Sequence, residues 1–226
     1  MGRRLGRRSS GAGRAVRLRT GGSSGGRHHR YRLAVTDDSS APRQPRPATE
    51  HTRRLHERAG ALVSFDDTGD FERARRGLIA TIESGQVRVG DHLVWDVAHK
   101  DFVRESETAP DTVHPGLWRQ ARLNSIHGLF EVADGVWQAR GYDLANITFI
   151  AGDTGWVIID PLTTASTAAA CLDLANSTVG ERPVRAVIYT HSHIDHFGGV
   201  LGVTTREAVD AGDVRVIAPD GFLREV

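Results

Sequence analysis

Val184-Arg-Ala-Val-Ile-Tyr-Thr190, followed without a break by His191-Ser-His-Ile-Asp-His-Phe-Gly-Gly199, is the stretch from which the rest of the chain can be read. The first seven residues are mostly β-branched and apolar, and they are bounded by Pro183 and by the polar cluster that follows. A short apolar run between breakers predicts a buried strand over 184–190. The second part places three histidines and an aspartate within six residues. His-x-His-x-Asp-His arises by chance in roughly one chain in five hundred of this composition, so it is read as a motif. Imidazole and carboxylate together are ligands of zinc and neighbouring cations.

Side chains alternate in an extended chain, so His191, His193 and Asp195 are expected on one side if the chain stays extended past the strand. His196 is out of that register and joins them only if the chain turns. Phe197-Gly198-Gly199 offers the glycines that allow close backbone approach there. This spacing suits two ions side by side, with His191 and His193 on one and Asp195 and His196 on the other. The plainer alternative is a polar loop of unconnected histidines. Imidazoles and a carboxylate packed this tightly are costly without a cation, which favours the metal reading. Upstream, Asp160 ends a second apolar run before Pro161. A carboxylate there either starts an Asp-Pro turn or fixes the tautomer of a metal-binding histidine.

Thr190 to Val200, Thr-His-Ser-His-Ile-Asp-His-Phe-Gly-Gly-Val, resembles the metal-binding signature of the metallo-β-lactamase fold hydrolases. Further blocks narrow the likeness: Pro-Asp-Thr-Val-His-Pro-Gly-Leu-Trp-Arg-Gln at 110–120, Gly-Leu-Phe-Glu-Val at 128–132, Gly-Tyr-Asp-Leu-Ala-Asn-Ile-Thr at 141–148 and Gly-Trp-Val-Ile-Ile-Asp-Pro-Leu-Thr-Thr at 155–164. In this order they resemble the amino-terminal part of the linear alkyl sulfatases. The resemblance implies an α/β chain (α+β layered) forming part of an αββα sandwich. It also implies two zinc ions, a zinc-activated water, and hydrolysis of primary alkyl sulfate esters to alcohol and sulfate. His191, His193, Asp195 and His196 would be the metal ligands, with Asp160 behind them. His114 stands where the resemblance leads one to expect asparagine.

The resemblance also implies further acidic ligands and a histidine downstream, and a dimer. After His196 the sequence contains no histidine, and its acids are Glu207, Asp210, Asp213, Asp220 and Glu225. None stands in a recognisable ligand motif, so the chain is expected to be the amino-terminal part of a longer enzyme, without its dimerisation region. The motif alone also fits a thioesterase or lactonase of the same fold, or an inactive truncated product. Half of a four-layer fold would leave an apolar sheet face uncovered, with poor solubility or oligomerisation as the expected consequence.

Composition bounds these readings. The 226 residues are 39% hydrophobic, enough for a core, and no stretch has the ~20 apolar residues that span a bilayer. The single cysteine, Cys171, excludes an intrachain disulfide and lies in an Ala-rich helical pattern, as a small core residue would. Charge is uneven. Residues 1–46 carry 12 arginines against Asp37 and Asp38, a net of +10, whereas the remainder is −9. Residues 1–47 therefore read as a disordered Arg/Gly/Ser/Pro-rich tail ending in a Pro-rich linker at 41–47. Nucleic-acid binding is the less favoured role for this tail. Its arginine pairs lack a following apolar h-region, so no export signal is assigned and a cytoplasmic location is expected.

Beyond the tail, 48–126 reads as a helical and extended segment and 127–226 as the first half of the metal-binding domain. Helices are predicted over 48–62 (capped by Thr49), 71–82, 117–124, 164–177 and 200–208. Strands are predicted over 93–96, 136–140, 146–151, 156–159, 184–190 and 214–218, with glycine turns giving antiparallel hairpins before 160. Arg119 and Arg122 are candidate sulfate anchors, although exposed helix charges are the commoner role. Trp95, Trp118, Trp137 and Trp156 are read as core residues before an alkyl-chain channel is considered.

Overall fold

The structure, a computed structural model, describes residues 46–65 and 67–226. Apart from Arg46 and Pro47, the basic tail and Pro-rich linker lie outside the described residues.

Helix α1 (Glu50–Leu62) begins at Thr49, whose side chain accepts from the Thr52 amide at 3.2 Å. This satisfies one of the unpaired first-turn donors. The helix expected over 71–82 forms only in its first part. Helix α2 (Gly69–Arg75) stops, Gly77 turns at φ +80°, and β1 (Leu78–Ala80) begins. The Gly77 carbonyl accepts from the Glu131 amide at 2.7 Å, and a Cβ on Gly77 would lie 2.2 Å from the Glu131 carbonyl oxygen. Pairing with a distant strand overrides the local helical periodicity.

Strands β2 (Gln86–Val89) and β3 (His92–Asp96) form a separate antiparallel hairpin, of which the second strand was expected. A 3₁₀ turn at Val97–Lys100 leads into α3 (Asp101–Arg104), and α4 (Pro115–Asn124) follows. His114 is the N-cap of α4, its Nδ1 accepting from the Gly116 amide at 3.1 Å. The imidazole thus performs the capping that an asparagine performs elsewhere.

Strands β4 (Gly128–Ala133), β5 (Val136–Arg140), β6 (Ile147–Gly152) and β7 (Gly155–Ile159) form an antiparallel meander. Helix α5 (Ala165–Val179) then crosses to β8 (Val184–Ile188), which pairs parallel with β7. The helix expected over 200–208 is split into a 3₁₀ turn (Val200–Gly202) and α6 (Arg206–Asp210). A Cβ on Gly202 would lie 2.0 Å from the Ala165 carbonyl oxygen, so the chain at that point lies tight against the start of α5. Strand β9 (Arg215–Ile217), parallel to β8, and α7 (Phe222–Glu225) complete the order.

Among the described residues the main sheet runs β1-β4-β5-β6-β7-β8-β9. Its antiparallel half and its parallel half meet at β7. The carboxyl ends of β7, β8 and β9 therefore share one edge with the β5–β6 connection. In α/β sheets, ligands sit at such an edge.

Helix α5 packs on one face of the sheet through Ala168, Cys171 and Ala175, all fully buried and small enough for close approach. Leu129, Phe149, Trp156, Ile158 and Val187 fill the sheet side of that layer. Burial and the nearby Asp143 charge push the Cys171 thiol far above its ordinary range, so it is a packing residue and not a nucleophile. On the opposite face the registers align Thr148, Ile159, Ile188 and Ile217, and Ile150 beside Val157; Ile217 is exposed and the others are half-buried. No helix among the described residues is long and apolar enough to cross a membrane.

The tryptophans hold this architecture together. Trp156 donates Nε1 to Asn176 Oδ1 at 2.7 Å and meets Trp137 edge-on at 5.7 Å. Trp118 donates to the Ser106 carbonyl at 3.0 Å and Trp95 to the Gly141 carbonyl at 2.8 Å. Asn176→Ala strands the buried indole N–H and is expected to cost about 1–3 kcal/mol. An unchanged denaturant midpoint in that variant would contradict this role.

Candidate metal centre

The cluster is built by two loops at the shared sheet edge. The first follows β7. Asp160 has φ +55° and Leu162 φ +65°, and the Leu162 amide donates to the Asp160 carbonyl at 2.8 Å. Asp160 tolerates the left-handed region, whereas a buried leucine does not adopt it without support. That support is Asp143. This buried carboxylate accepts from the Leu144 amide (2.6 Å), the Thr163 amide (3.2 Å), Thr163 Oγ1 (2.5 Å) and Thr167 Oγ1. It ties the β5–β6 connection to the strained loop and to the first turn of α5, where negative charge is favourable.

The second loop follows β8. The chain does not continue extended as expected: β8 ends at Ile188, the backbone bends through residues 190–192, and Ile194–His196 form a 3₁₀ turn. The His196 amide donates to the His193 carbonyl at 3.0 Å. The turn that brings His196 back thus precedes it, rather than falling at the glycines. Gly198 and Gly199 serve a different contact. The Gly199 amide donates to the Leu162 carbonyl at 2.9 Å, and a Cβ there would lie 2.1 Å from the Pro161 carbonyl oxygen. The glycines press the second loop onto the first. Phe197 anchors the same turn in an aromatic group with Tyr189 (5.8 Å) and Phe222 (5.2 Å), where burial lifts the Tyr189 phenol above its ordinary value.

These contacts bring the side chains together. His191 and His196 have ring centroids 4.1 Å apart, and His191 and His193 4.6 Å apart. Asp195 Oδ2 lies 3.4 Å from His196 Nε2. His193 is exposed, His191 and His196 are half-buried, and Asp160 is 8% exposed. One atom each from Asp160, His191 and His196 falls within 4.8 Å of the others, the spacing of a possible cation site.

The hydrogen bonds assign distinct parts to these residues. Asp160 Oδ1 accepts from the Thr190 amide at 2.8 Å. Its Oδ2 accepts from Thr190 Oγ1 at 2.7 Å and from His196 Nδ1 at 2.8 Å. The Thr190 hydroxyl has one proton, which it gives to Asp160, so it accepts from His191 Nδ1 at 2.8 Å. Both imidazoles are thereby set as Nδ1–H tautomers with Nε2 lone pairs free. A carboxylate satisfied by three donors orients the histidines better than it ligates. The donor chemistry fits a divalent cation held by imidazole Nε2 atoms, with Asp195 within reach.

Two of these parts were not read from sequence. The sequence reading places Thr190 as the last residue of a strand and Asp143 as one letter of a family-like block. Nothing local marks either, because their partners are distant in the chain. The arginines proposed as sulfate anchors are occupied elsewhere. Arg119 donates to Asp70 Oδ2 and to the Asp67 carbonyl, both at 2.8 Å, and Arg122 lies 4.9 Å over the Phe71 ring. They bind α4 to α2.

Residues 140–223 match the family model of the metallo-beta-lactamase superfamily. Within it, the likeness narrows to the alkylsulfatases. The chain is 44% identical to a linear primary-alkylsulfatase of Pseudomonas sp. over 84% of its own length and 28% of the relative's. It is 47% identical to an alkyl/aryl-sulfatase of Saccharomyces cerevisiae over 73% of its own length and 25% of the relative's. The solved structure of the stereoselective inverting sec-alkylsulfatase Pisa1 from Pseudomonas sp. superposes with a TM-score of 0.73 at 47% identity, covering 79% of this chain and 28% of that one. The chain spans little more than a quarter of the length of the alkylsulfatases it matches.

Proposed function

We propose that this chain carries a metal-binding part of an alkyl sulfate ester hydrolase. The observation that carries the reading is the pair of imidazoles, His191 and His196, whose Nδ1 atoms are both committed to the Thr190–Asp160 network. Their Nε2 atoms are left for a cation; the two rings lie 4.1 Å apart, His193 lies 4.6 Å from His191, and Asp195 Oδ2 lies 3.4 Å from His196 Nε2. The likeness to alkylsulfatases supplies the substrate class. We assign His191, His193, Asp195 and His196 as ligands and Asp160 as the residue that orients them, with zinc as the preferred ion and two ions as the family-like number. When bound, zinc supplies Lewis acidity toward the sulfate oxygens and an activated water at neutral pH. The protein's own contribution is to hold the ligand tautomers, fix their direction and keep the two loops in register.

The test is metal content per chain on the purified 226-residue protein, with His193→Ala as control, together with release of sulfate from hexyl sulfate. Bound zinc that falls in the control, with sulfate release that follows zinc loading, is the expected result. A folded chain that binds no zinc overturns the metal assignment. Zinc binding without sulfate release overturns the hydrolytic reading for this chain.

A further inference from the structure

Tyr189 and Phe197 stand at the two ends of the stretch 190–196, which holds all four motif residues. Tyr189 follows β8 and is buried, and its amide donates to the Ile217 carbonyl at 2.8 Å, which ties this end to β9. Phe197 follows His196 directly and is half-buried. The two ring centroids are 5.8 Å apart. A third ring packs against both. Phe222, the first residue of α7, lies 5.4 Å from Tyr189 and 5.2 Å from Phe197, meeting the latter nearly edge-on at 81°. All three separations fall in the range of favourable aromatic pairs, roughly 4.5–7 Å.

Phe222 reaches this place from outside the motif. Strand β9 ends at Ile217, and the backbone turns at Gly221 with φ +81°, a conformation suited to glycine, before α7 begins. The Phe222 amide donates to the Pro219 carbonyl at 3.2 Å and closes the turn. Pro219, Gly221 and Phe222 line a cavity of about 280 Å³ together with Thr190, His191 and Ser192, so the same segment forms a wall beside His191.

The histidine loop is thus closed twice. Asp160 joins Thr190 to His196 by hydrogen bonds, which set the tautomers. The aromatic group joins the residues one step further out at each end, by packing. Without the third ring, Tyr189 and Phe197 keep only each other, and the two ends of the loop gain freedom to part. Ligands held in place before the cation arrives lose less freedom on binding it.

We propose that Phe222 is a positioning residue of the metal centre, which holds Tyr189 and Phe197 together and so fixes the directions of His191 and His196. The assignment rests on the metal reading above and adds a residue that neither touches the cation nor belongs to the motif.

The experiment compares Phe222→Ala, Phe222→Leu and Phe222→Tyr in the 226-residue protein. Asn176→Ala, which acts on Trp156 at the far end of β7 from Asp160, is the control for lost stability alone. Three readouts are taken: zinc affinity by chelator competition, the visible spectrum of the cobalt(II)-loaded protein, and hydrogen exchange of the 190–197 amides in zinc-free protein. Phe222→Ala is expected to weaken zinc binding about tenfold, to alter the cobalt spectrum and to speed exchange over 190–197. Phe222→Tyr keeps the ring and is expected to restore all three, with Phe222→Leu between them. If Phe222→Ala does not fold, Phe222→Leu carries the test. Wild-type zinc affinity and exchange in a folded Phe222→Ala or Phe222→Leu protein overturn the proposal, as does an equal loss of zinc affinity in Asn176→Ala. The two readings fail separately. A wild-type chain that binds no zinc removes the metal reading, while exchange over 190–197 still decides whether Phe222 holds the loop.

Discussion

Asp160→Asn is expected to weaken zinc binding by about 10- to 100-fold while the chain stays folded. The asparagine keeps the size of the side chain but has one acceptor oxygen where the carboxylate has two. Three donors converge on this position: the Thr190 amide, Thr190 Oγ1 and His196 Nδ1. An amide can satisfy one side of this group and must present N–H groups to the other. Either Thr190 or His196 then loses its partner, and an imidazole becomes free to rotate or to change tautomer. Competition for zinc against a chromophoric chelator measures the effect. Thr190→Val, which removes the hydroxyl bridge to His191 but leaves Asp160 on His196, is expected to fall between wild type and Asp160→Asn. A folded Asp160→Asn protein with wild-type zinc affinity would show that the carboxylate does not orient the ligands.

The second large effect is a backbone collision. Gly199→Ala places a Cβ 2.1 Å from the Pro161 carbonyl oxygen, 2.6 Å from that of Thr164 and 3.0 Å from the Ala168 side chain. Two of these three are backbone atoms of the loop that carries Asp160 and Leu162, so no rotamer change relieves the contact. Overpacking typically costs 1–3 kcal/mol, and a rigid backbone partner places this site at about 3 kcal/mol or more. That is a large part of the 5–15 kcal/mol by which a domain is stable. The loop must also move away from the histidines, so zinc affinity is expected to fall together with the unfolding midpoint. Gly60→Ala is the contrast. Gly60 lies in α1 with nothing within 4 Å of an added Cβ, and alanine there is expected to stabilise by about 0.5–1 kcal/mol. Equal midpoints for the two variants would contradict the packing argument.

Strong local signals are legible in the sequence alone. The Thr49 cap, the meander from β5 to β7 and the strand before the histidines each depend on residues within a few positions of one another. Each was read to within about two residues at its ends. Segments whose conformation depends on distant partners were not. Residues 78–82 carry helical periodicity, yet 78–80 pair with β4, because strand pairing and the Gly77–Glu131 contact outweigh a weak propensity. Residues 200–208 read as one helix, yet at Gly202 the chain lies so close to Ala165 that an added Cβ would fall 2.0 Å from its carbonyl oxygen, and α6 starts only after that contact.

The same division holds at the metal centre. Which residue types the motif offers a cation, His191, His193, Asp195 and His196, is a property of the sequence alone, because the motif is contiguous and its chemistry belongs to the side chains. How they act together is tertiary. The 3₁₀ turn that recovers His196, the Thr190 hydroxyl that sets His191, and the Asp160 carboxylate that sets His196 depend on two loops meeting at one sheet edge. Asp143 holds one of those loops from a third place in the chain. Hydrogen bonds across 20 to 36 residues leave no periodic trace in a sequence. The folded sheet, through its change from antiparallel to parallel at β7, is what makes these residues neighbours.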